Sequence, residues 1–356
     1  MPFIILVRIP NWLGDAVMAS FALEILYQSY PEAHFYLVGA KSNLTLFENN
    51  PNTTCLADES KKSKSRILAL WKLAKSIPQA NLAFTFQNNF LSALFLWFNN
   101  AKIRVGYANE LRSPLLTHHP KKPKNTHEAL RFEGLVRLLI QNHTITPKTY
   151  LQKPKQTPLL PQNFINQKII GINAGAAFGS AKRWEEEYFA QIIQELLALN
   201  FKIILFGVAS ENPINEKILS YLDNPKDSNI LNLSGKTNLQ ELMAYFLKLD
   251  FLLTNDSGPM HIAGAFEIPT LAIFGPTDST ETCAFNAKNT HIISLQSLKQ
   301  PLSCAPCKKR SCPLPKDSKD FHACMRDLTP KKILPTLFEL LSKNGLQSQK
   351  ILHKDD

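Results

Sequence analysis

Apolar positions along the chain fall into two textures, short unbroken runs and longer stretches repeating at helical spacing. The runs at residues 3–9, 34–38, Leu82–Phe86 and Lys102–Gly106 have the length and composition of buried strands. Helical stretches intervene at Ala16–Gln28, with Val17, Phe21, Leu23, Ile25 and Leu26 as apolar positions, then at Ile67–Ser76 and Phe90–Phe98. Residues 147–163 break the pattern: Pro147, Pro154, Pro158 and Pro161 stand among few periodic apolar positions, the composition of a linker. A second series of strands follows at Ile169–Ile172, Lys202–Phe206, Ile230–Leu233, Phe251–Thr254 and Thr270–Phe274. Helices near Glu185–Leu199, Glu211–Leu222, Leu239–Leu247 and Pro259–Ala265 separate them.

Strands separated by helices pair in parallel through right-handed crossovers, so the pattern predicts an α/β chain. Its 356 residues suit two domains, 1–163 and 164–356. Each strand of the second series runs into Gly, Asn or Asp before the next helix, and in open α/β sheets ligands bind outside the carboxyl ends of the strands. A cleft between two such domains is the expected ligand site.

Charge changes the picture by its distribution. The net charge is +11, yet residues 1–165 hold 19 Lys and Arg against 9 Asp and Glu, while residues 166–356 hold 21 against 20. The excess is therefore concentrated in the first half, including Lys61-Lys62-Ser63-Lys64-Ser65-Arg66 and the run Lys121, Lys122, Lys124. Such a field favours a polyanionic partner: nucleic acid, an acidic membrane surface or a phosphorylated acceptor. The basic runs lack interleaved aromatics and no nucleic-acid module is recognisable, so nucleic acid is not the expected partner. No stretch reaches the roughly 18 apolar residues of a spanning helix. The opening Pro2–Arg8 lacks a basic leader and reads as a first strand rather than a signal peptide. A cytoplasmic protein is expected.

Cys55 and Cys283 read as small core residues, and the other cysteines cluster as Cys304-x2-Cys307-x4-Cys312-x11-Cys324. Metal ligation and simple packing both stay open for that cluster: one Cys-x-x-Cys pair has ligand spacing, but the second pair of a zinc ribbon is missing. Disulfides are not expected in a cytoplasmic chain.

Three segments carry candidate chemistry. In Asn11-Trp12-Leu13-Gly14-Asp15, Gly14 allows a tight turn and Asp15 stands where a helix begins, stabilised by the positive end of the helix dipole. That carboxylate can act as a general base, and a plain helix cap is the simpler alternative. In Asn173-Ala174-Gly175-Ala176-Ala177-Phe178-Gly179-Ser180-Ala181-Lys182-Arg183-Trp184, small residues free backbone N–H groups for phosphate oxygens and Lys182 adds charge. The Gly-Lys-Ser/Thr ending of a P-loop is absent. In Asn255-Asp256-Ser257-Gly258-Pro259-Met260-His261, a strand ends in polar residues and a helix begins at Pro259, so that Ser257 and His261 can meet a phosphate. Asp256 would repel that phosphate unless bonded locally or to Lys182. Gly275-Pro276-Thr277-Asp278 repeats the arrangement one strand later.

Together with Arg8-x-Pro10 and Phe274, these segments, in this order along nearly the whole chain, resemble the ADP-heptose:lipopolysaccharide heptosyltransferases. The Asn-Trp-x-Gly-Asp opening and the late cysteine cluster are most like the heptosyltransferase II branch. The resemblance implies two facing Rossmann-like domains, the GT-B glycosyltransferase fold, with an acceptor domain first and a nucleotide-sugar domain second. It implies an inverting, metal-independent transfer of heptose from ADP-heptose to the first heptose of the lipopolysaccharide or lipooligosaccharide inner core, without cofactor. The acceptor would be an anionic lipid A–Kdo–heptose, with peripheral association at the cytoplasmic face of the inner membrane. On this reading Asp15 is the base and Lys182 serves the departing diphosphate. Gly175, Ala176, Ala177, Lys182, Glu211, Asp256, Ser257, Gly258, His261 and Thr277 serve the donor, with Glu211 near the adenosine ribose. Asn11, Trp12, Gly14, Lys121, Lys122 and Lys124 serve the acceptor. Glu185 stands where the family commonly has Pro. A sibling heptosyltransferase, I or III, or a transferase of another nucleotide sugar are the competing readings.

Overall fold

The computed structural model describes residues 2–109, 111–141 and 144–346, and the chain divides into two compact units, Met1–Gln152 and Lys153–Asp356. The division falls inside the Pro-punctuated stretch, ahead of the boundary at 163/164 that the sequence predicts.

The first unit carries β1 (Ile4–Arg8), α1 (Leu13–Ser29), β2 (His34–Gly39), α2 (Lys41–Leu44), β3 (Thr53–Ala57), α3 (Arg66–Lys75), β4 (Leu82–Thr85), α4 (Phe90–Phe98), β5 (Ile103–Val105) and α5 (Glu128–Arg137). Its strands form one sheet in the order β3-β2-β1-β4-β5, and every pairing is parallel. The second unit carries β6 (Ile169–Asn173), α6 (Glu186–Ala198), β7 (Lys202–Phe206), α7 (Asn212–Ser220), β8 (Ile230–Asn232), α8 (Leu239–Phe246), β9 (Phe251–Asn255), α9 (Gly258–Ala265), β10 (Thr270–Ile273), α10 (Ser279–Thr282), β11 (Thr290–Ile293), α11 (Ala323–Arg326) and α12 (Pro330–Lys343). Its sheet runs β11-β10-β9-β6-β7-β8, again entirely parallel.

The central strands are the ones the sequence marks most clearly, and the reason is burial. All five residues of β1, β6 and β9 are buried, as expected for strands covered on both faces. β3 and β11 carry no unbroken apolar run and lie at sheet edges, reading Thr53-Thr54-Cys55-Leu56-Ala57 and Thr290-His291-Ile292-Ile293. Their half-exposed positions tolerate polar residues, so the apolar pattern does not predict them.

Most helices cover the faces by burying one stripe, while α1 is buried on nearly all sides. On α6 the buried residues are Phe189, Ala190, Ile192, Ile193 and Leu196, joining a core that includes Trp184, Phe251, Leu253 and Leu337. Trp184 is buried, and its indole N–H donates to the Leu328 carbonyl at 2.7 Å. That bond removes the cost of hiding a polar edge in an apolar core.

In both sheets the chain leaves one central strand in each direction. β1 leads toward β2 and β4 toward β5, while β6 leads toward β7 and β9 toward β10. A topological switch point therefore lies between β1 and β4 in one unit and between β6 and β9 in the other. In such sheets this is where a crevice opens outside the carboxyl ends of the strands.

Candidate active site

Two of the three candidate segments meet at the switch point of the second unit. β6 ends at Asn173 and β9 at Asn255, and their side chains tie the two strand ends together. The Asn173 amide donates to Ser257 Oγ at 3.0 Å and to Thr254 Oγ1 at 3.3 Å. The Asn255 amide donates to the Ala174 carbonyl at 2.6 Å, and its own oxygen accepts from the Trp184 N–H at 3.2 Å. With both strand ends fixed, the loop after β6 folds back over the start of α9.

Within that frame Lys182 Nζ lies 2.6 Å from Asp256 Oδ2, with side chains only 10% and 4% exposed. Thr277 Oγ1, from the loop after β10, donates to the same carboxylate oxygen. Asp256 is therefore held both locally and by Lys182, the condition for its tolerance beside a phosphate. Removing one member of such a buried pair leaves a charge without compensation, worth about 3–5 kcal/mol. Ser257 caps α9, with Pro259 in its first turn, and the half-buried Ser257 and Gly258 bring the positive end of that helix to the crevice. His261, one turn in, is buried.

Gly179 is required by close approach of backbone, and Gly175 makes room for the Glu211 carboxylate. A Cβ on Gly175 would fall 2.2 Å from the carboxyl carbon of Glu211. Glu211, buried, also accepts from the Val208 N–H at 3.0 Å. A Cβ on Gly179 would fall 2.1 Å from the carbonyl oxygen of Arg310. Ala176 is buried beside them and Ala177 is exposed.

That Arg310 belongs to the cysteine-containing segment, which packs on the candidate loops. The Arg310 carbonyl accepts from the Ala181 N–H at 3.0 Å, and the guanidinium lies 5.5 Å from the centre of the Phe178 ring, which Lys182 Nζ approaches at 4.9 Å. The Lys308 N–H donates to the Pro276 carbonyl at 2.7 Å. His322 bridges Glu185 Oε1 and the Ala181 carbonyl, each at 3.2 Å. The hydrogen bond to Glu185 raises the His322 imidazole above its ordinary value against the opposing effect of burial, and the same bond lowers the Glu185 carboxyl. All six cysteines are free thiols. Burial first, then Cys307, Cys304 and Cys312, pushes Cys324 up to about 12. Among the described residues no group of three or more His, Cys, Asp and Glu side chains is placed to hold a metal ion. Cys55 and Cys283 are half-buried rather than core.

The third segment lies at the switch point of the first unit and is built differently. Trp12 caps α1 without a side-chain hydrogen bond, and Asp15 falls in the first turn. The carboxylate is half-buried, Gly14 beneath it is buried, and Asn11 and Trp12 are exposed. Two amides hold the backbone leading to them. Asn43 donates to the carbonyls of Pro10 and Asn11 at 3.0 and 2.9 Å. Gln87 donates to the Ile9 carbonyl at 2.7 Å and to Asn11 Oδ1 at 3.3 Å. The fully buried Arg112 fixes Gln87 in turn, donating to its carbonyl at 2.6 Å and to the Tyr107 carbonyl at 2.7 Å. Arg8, at the end of β1, pairs with Asp58 at 2.7 Å and lies over the Phe95 ring. Burial pulls its guanidinium below its ordinary value and Asp58 opposes this, and an arginine stays charged throughout. Asn43, Gln87 and Arg112 are supporting residues that sequence reasoning misses. The polar run Gln87-Asn88-Asn89 directly after a buried strand is the signal that could have found Gln87.

Lys121, Lys122 and Lys124 are exposed and lie away from this loop in sequence, in a strap alongside Ala108. Lys122 is paired with Glu128 at 2.9 Å.

Residues 70–317 match glycosyltransferase family 9 (heptosyltransferase). The chain is 33% identical to lipooligosaccharide heptosyltransferase 2 of Campylobacter jejuni, over 96% of this chain and 99% of that one. Among solved structures it is similar to E. coli ADP-heptose lps heptosyltransferase II, with TM-score 0.74 and 23% identity over 97% of this chain and 100% of that one. It is also similar to E. coli heptosyltransferase WaaC with ADP, with TM-score 0.73 and 14% identity over 95% and 100% of the two chains. These structures share its fold of two parallel-sheet α/β units.

Proposed function

The chain belongs to glycosyltransferase family 9, the heptosyltransferases, and from that premise we propose how its residues divide the work of transfer. It is a glycosyltransferase of the heptosyltransferase 2 kind, acting in lipopolysaccharide core biosynthesis. On our reading the donor is ADP-heptose, held by the second unit, and the acceptor is the first heptose of an anionic, lipid-linked inner core, received by the first unit.

Asp15 takes the proton from the acceptor hydroxyl. The acceptor oxygen then bonds to the anomeric carbon as the bond from that carbon to the diphosphate breaks, and ADP leaves with the electron pair, inverting the configuration. Lys182, the amides of residues 175–177 and the start of α9 with Ser257 and Gly258 offset the charge that develops on the leaving diphosphate. Groups already fixed in place do this without reorganising during the reaction. Thr277 and Asp256 hold Lys182 in position, and His261 supports the same helix end. Glu211, against Gly175, is suited to accept from the ribose hydroxyls. Asn11, Trp12 and Gly14 shape the acceptor side around Asp15, and Lys121, Lys122 and Lys124 attract its phosphates. Among the described residues no helix is long and apolar enough to cross a membrane, and on our reading the association with the cytoplasmic face of the inner membrane is peripheral.

The observation that carries this reading is the position of the two loops. The Asp15 loop and the Lys182–Asp256 pair each sit at the switch point of a separate parallel sheet. The test is transfer by the pure protein from ADP-heptose to a core acceptor bearing one heptose, with UDP-sugars and a heptose-free acceptor beside it. Product with ADP-heptose and the one-heptose acceptor alone is the expected result. Preference for the heptose-free acceptor or for a UDP-sugar would overturn it.

A further inference from the structure

The right-handed crossovers that join β3 to β4 and β4 to β5 run in the direction opposite to those joining β1, β2 and β3. They set α3 and α4 side by side on one face of the first sheet, where Leu70, Ala74, Ala93 and Leu96 turn inward to a shared core. Burying those residues leaves the outer faces of both helices uncovered, and each carries large apolar side chains. On α3, Ile67 and Trp71 are one turn apart at 55% and 43% exposure, with Leu68 beside them at 50%. On α4, Phe90 and Trp97 lie two turns apart at 41% and 51%. Isolated exposed apolar residues are ordinary, but two tryptophans with three further large side chains on adjacent helices form a patch.

The charge around the patch is predominantly positive. Residues 60–109, which build α3, β4, α4 and β5, contain eight Lys and Arg and no Asp or Glu. Arg66, Lys72 and Lys75 on α3 are exposed, as are Lys61, Lys62 and Lys64 in the approach to it, Lys62 being paired with Glu59 at 2.9 Å. Tryptophan beside apolar side chains, ringed by flexible cations, suits the interface of a bilayer with anionic headgroups. The rings enter at headgroup depth, and the lysine stems reach past them to lipid phosphates.

One end of the patch lies at the edge of the sheet proposed for catalysis. In a parallel sheet each connecting helix begins at the carboxyl ends of the strands, so Arg66, Ile67 and Phe90 lie at the edge that carries Asp15. Arg66 is near enough to Arg8, at the end of β1, to lower its pKa alongside the larger effect of burial.

We propose that the outer face of α3 and α4, centred on Trp71 and Trp97 and ringed by Arg66, Lys72 and Lys75, docks the first unit on an anionic lipid bilayer. This deepens the reading of a lipid-linked acceptor and rests on it. Bound there, the enzyme meets its acceptor by diffusion in two dimensions.

The experiment uses the full chain and sedimentation with vesicles of phosphatidylethanolamine and phosphatidylglycerol, or of phosphatidylcholine alone, none containing acceptor. The expected result is that the wild type binds the anionic vesicles and scarcely binds phosphatidylcholine. The double substitution Trp71→Ser with Trp97→Ser should weaken binding to anionic vesicles tenfold or more. The triple Arg66→Gln, Lys72→Gln, Lys75→Gln should do the same and flatten its salt dependence. Both variants should keep wild-type kcat on a delipidated, water-soluble acceptor, which shows that they fold. Anionic-vesicle binding by the tryptophan variant equal to wild type would overturn the proposal, as would wild-type binding to phosphatidylcholine of equal strength. A dimer of the wild type in solution that the tryptophan variant loses would overturn it too, since the face would then meet a second copy. Vesicle binding that follows the expected pattern, without heptose transfer, would uphold this proposal and remove the functional one. Heptose transfer with vesicle binding indifferent to the substitutions would do the reverse.

Discussion

The loops after β1 and β6 occupy equivalent places, each leaving a central strand at the switch point of its sheet, yet they are made differently. In the second unit the polar side chains are buried or half-buried and largely bonded to one another, with Lys182 on Asp256, Thr277 on the same carboxylate, and Asn173 and Asn255 across the strand ends. In the first unit the polar side chains mostly hold the backbone, through Asn43 and Gln87, with Gln87 also reaching Asn11 Oδ1, while Asn11 and Trp12 stand exposed and Asp15 is half-buried. The difference accords with the roles proposed for the two loops. A site for a ligand of fixed shape and charge gains from groups locked before binding. A site that receives one part of a large, variable lipid gains from a rigid base under accessible side chains.

The most severe way to break this comparison is to remove the one carboxylate that the first loop presents. Asp15→Asn should lower turnover a hundredfold or more, because general-base catalysis supplies roughly 10²–10⁴-fold. Steady-state rates on the folded variant decide it, and near-normal turnover would take Asp15 out of the mechanism.

Lys182→Ala attacks the other loop and should act on both stability and turnover. The buried Asp256 loses its partner, at about 3–5 kcal/mol, and the diphosphate loses a charge-assisted contact, at about 1.5–3 kcal/mol. Denaturant unfolding and the donor KM measure the two effects separately. Unchanged values for both would mean that the Lys182–Asp256 pair is neither structural nor catalytic.

Neutralising Lys121, Lys122 and Lys124 together sharpens the comparison by separating the units. The acceptor KM should rise severalfold and the donor KM should stay near wild type. The effect should fade with salt, since exposed charges are screened over about 8 Å at physiological ionic strength. Lys122 contributes least, being paired with Glu128. Equal acceptor constants at low salt would leave the strap without a role.

The smallest expected effect is one of pH on the pair that ties the cysteine-containing segment to the second loop. His322 is raised in the folded protein, so its contribution is complete below its unfolded value near 6.5 and is lost as pH rises through the folded value. Glu185 is lowered, so its contribution is present above about 4.5 and is lost as pH falls through the folded value. The pair should stabilise most between those limits. His322→Ala should cost about 0.2–1 kcal/mol near pH 5.5 and less at pH 8. An equal cost at both pH values would assign the effect to packing alone.

Much of this was legible in the sequence, for identifiable reasons. Strands buried on both faces are spelled as apolar runs, so β1, β6 and β9 are plain, and a polar residue directly after such a run marks the crevice, as Asn173 and Asn255 do. The resemblance carried by Asn11–Asp15 and Asn255–His261 then names the chemistry. What the sequence conceals depends on distant parts of the chain meeting. Nothing local shows that Arg310 covers Gly179, that Glu211 lies against Gly175, or that Arg112 fixes Gln87. The edge strands β3 and β11 are hidden because half-exposed strands need no apolar run. The patch on α3 and α4 is hidden for the opposite reason: the spacing of Ile67, Trp71, Phe90 and Trp97 gives no sign of which apolar residues face the core.

The division of labour between the two loops is tested most directly by calorimetric titration of ADP into wild type, Asp15→Asn and Lys182→Ala side by side. ADP should bind Asp15→Asn with wild-type affinity, because on the proposed mechanism that carboxylate serves the acceptor. Lys182→Ala should bind it about 10- to 150-fold more weakly, the range set by about 1.5–3 kcal/mol. Loss of ADP affinity in Asp15→Asn, or wild-type affinity in Lys182→Ala, would contradict the account.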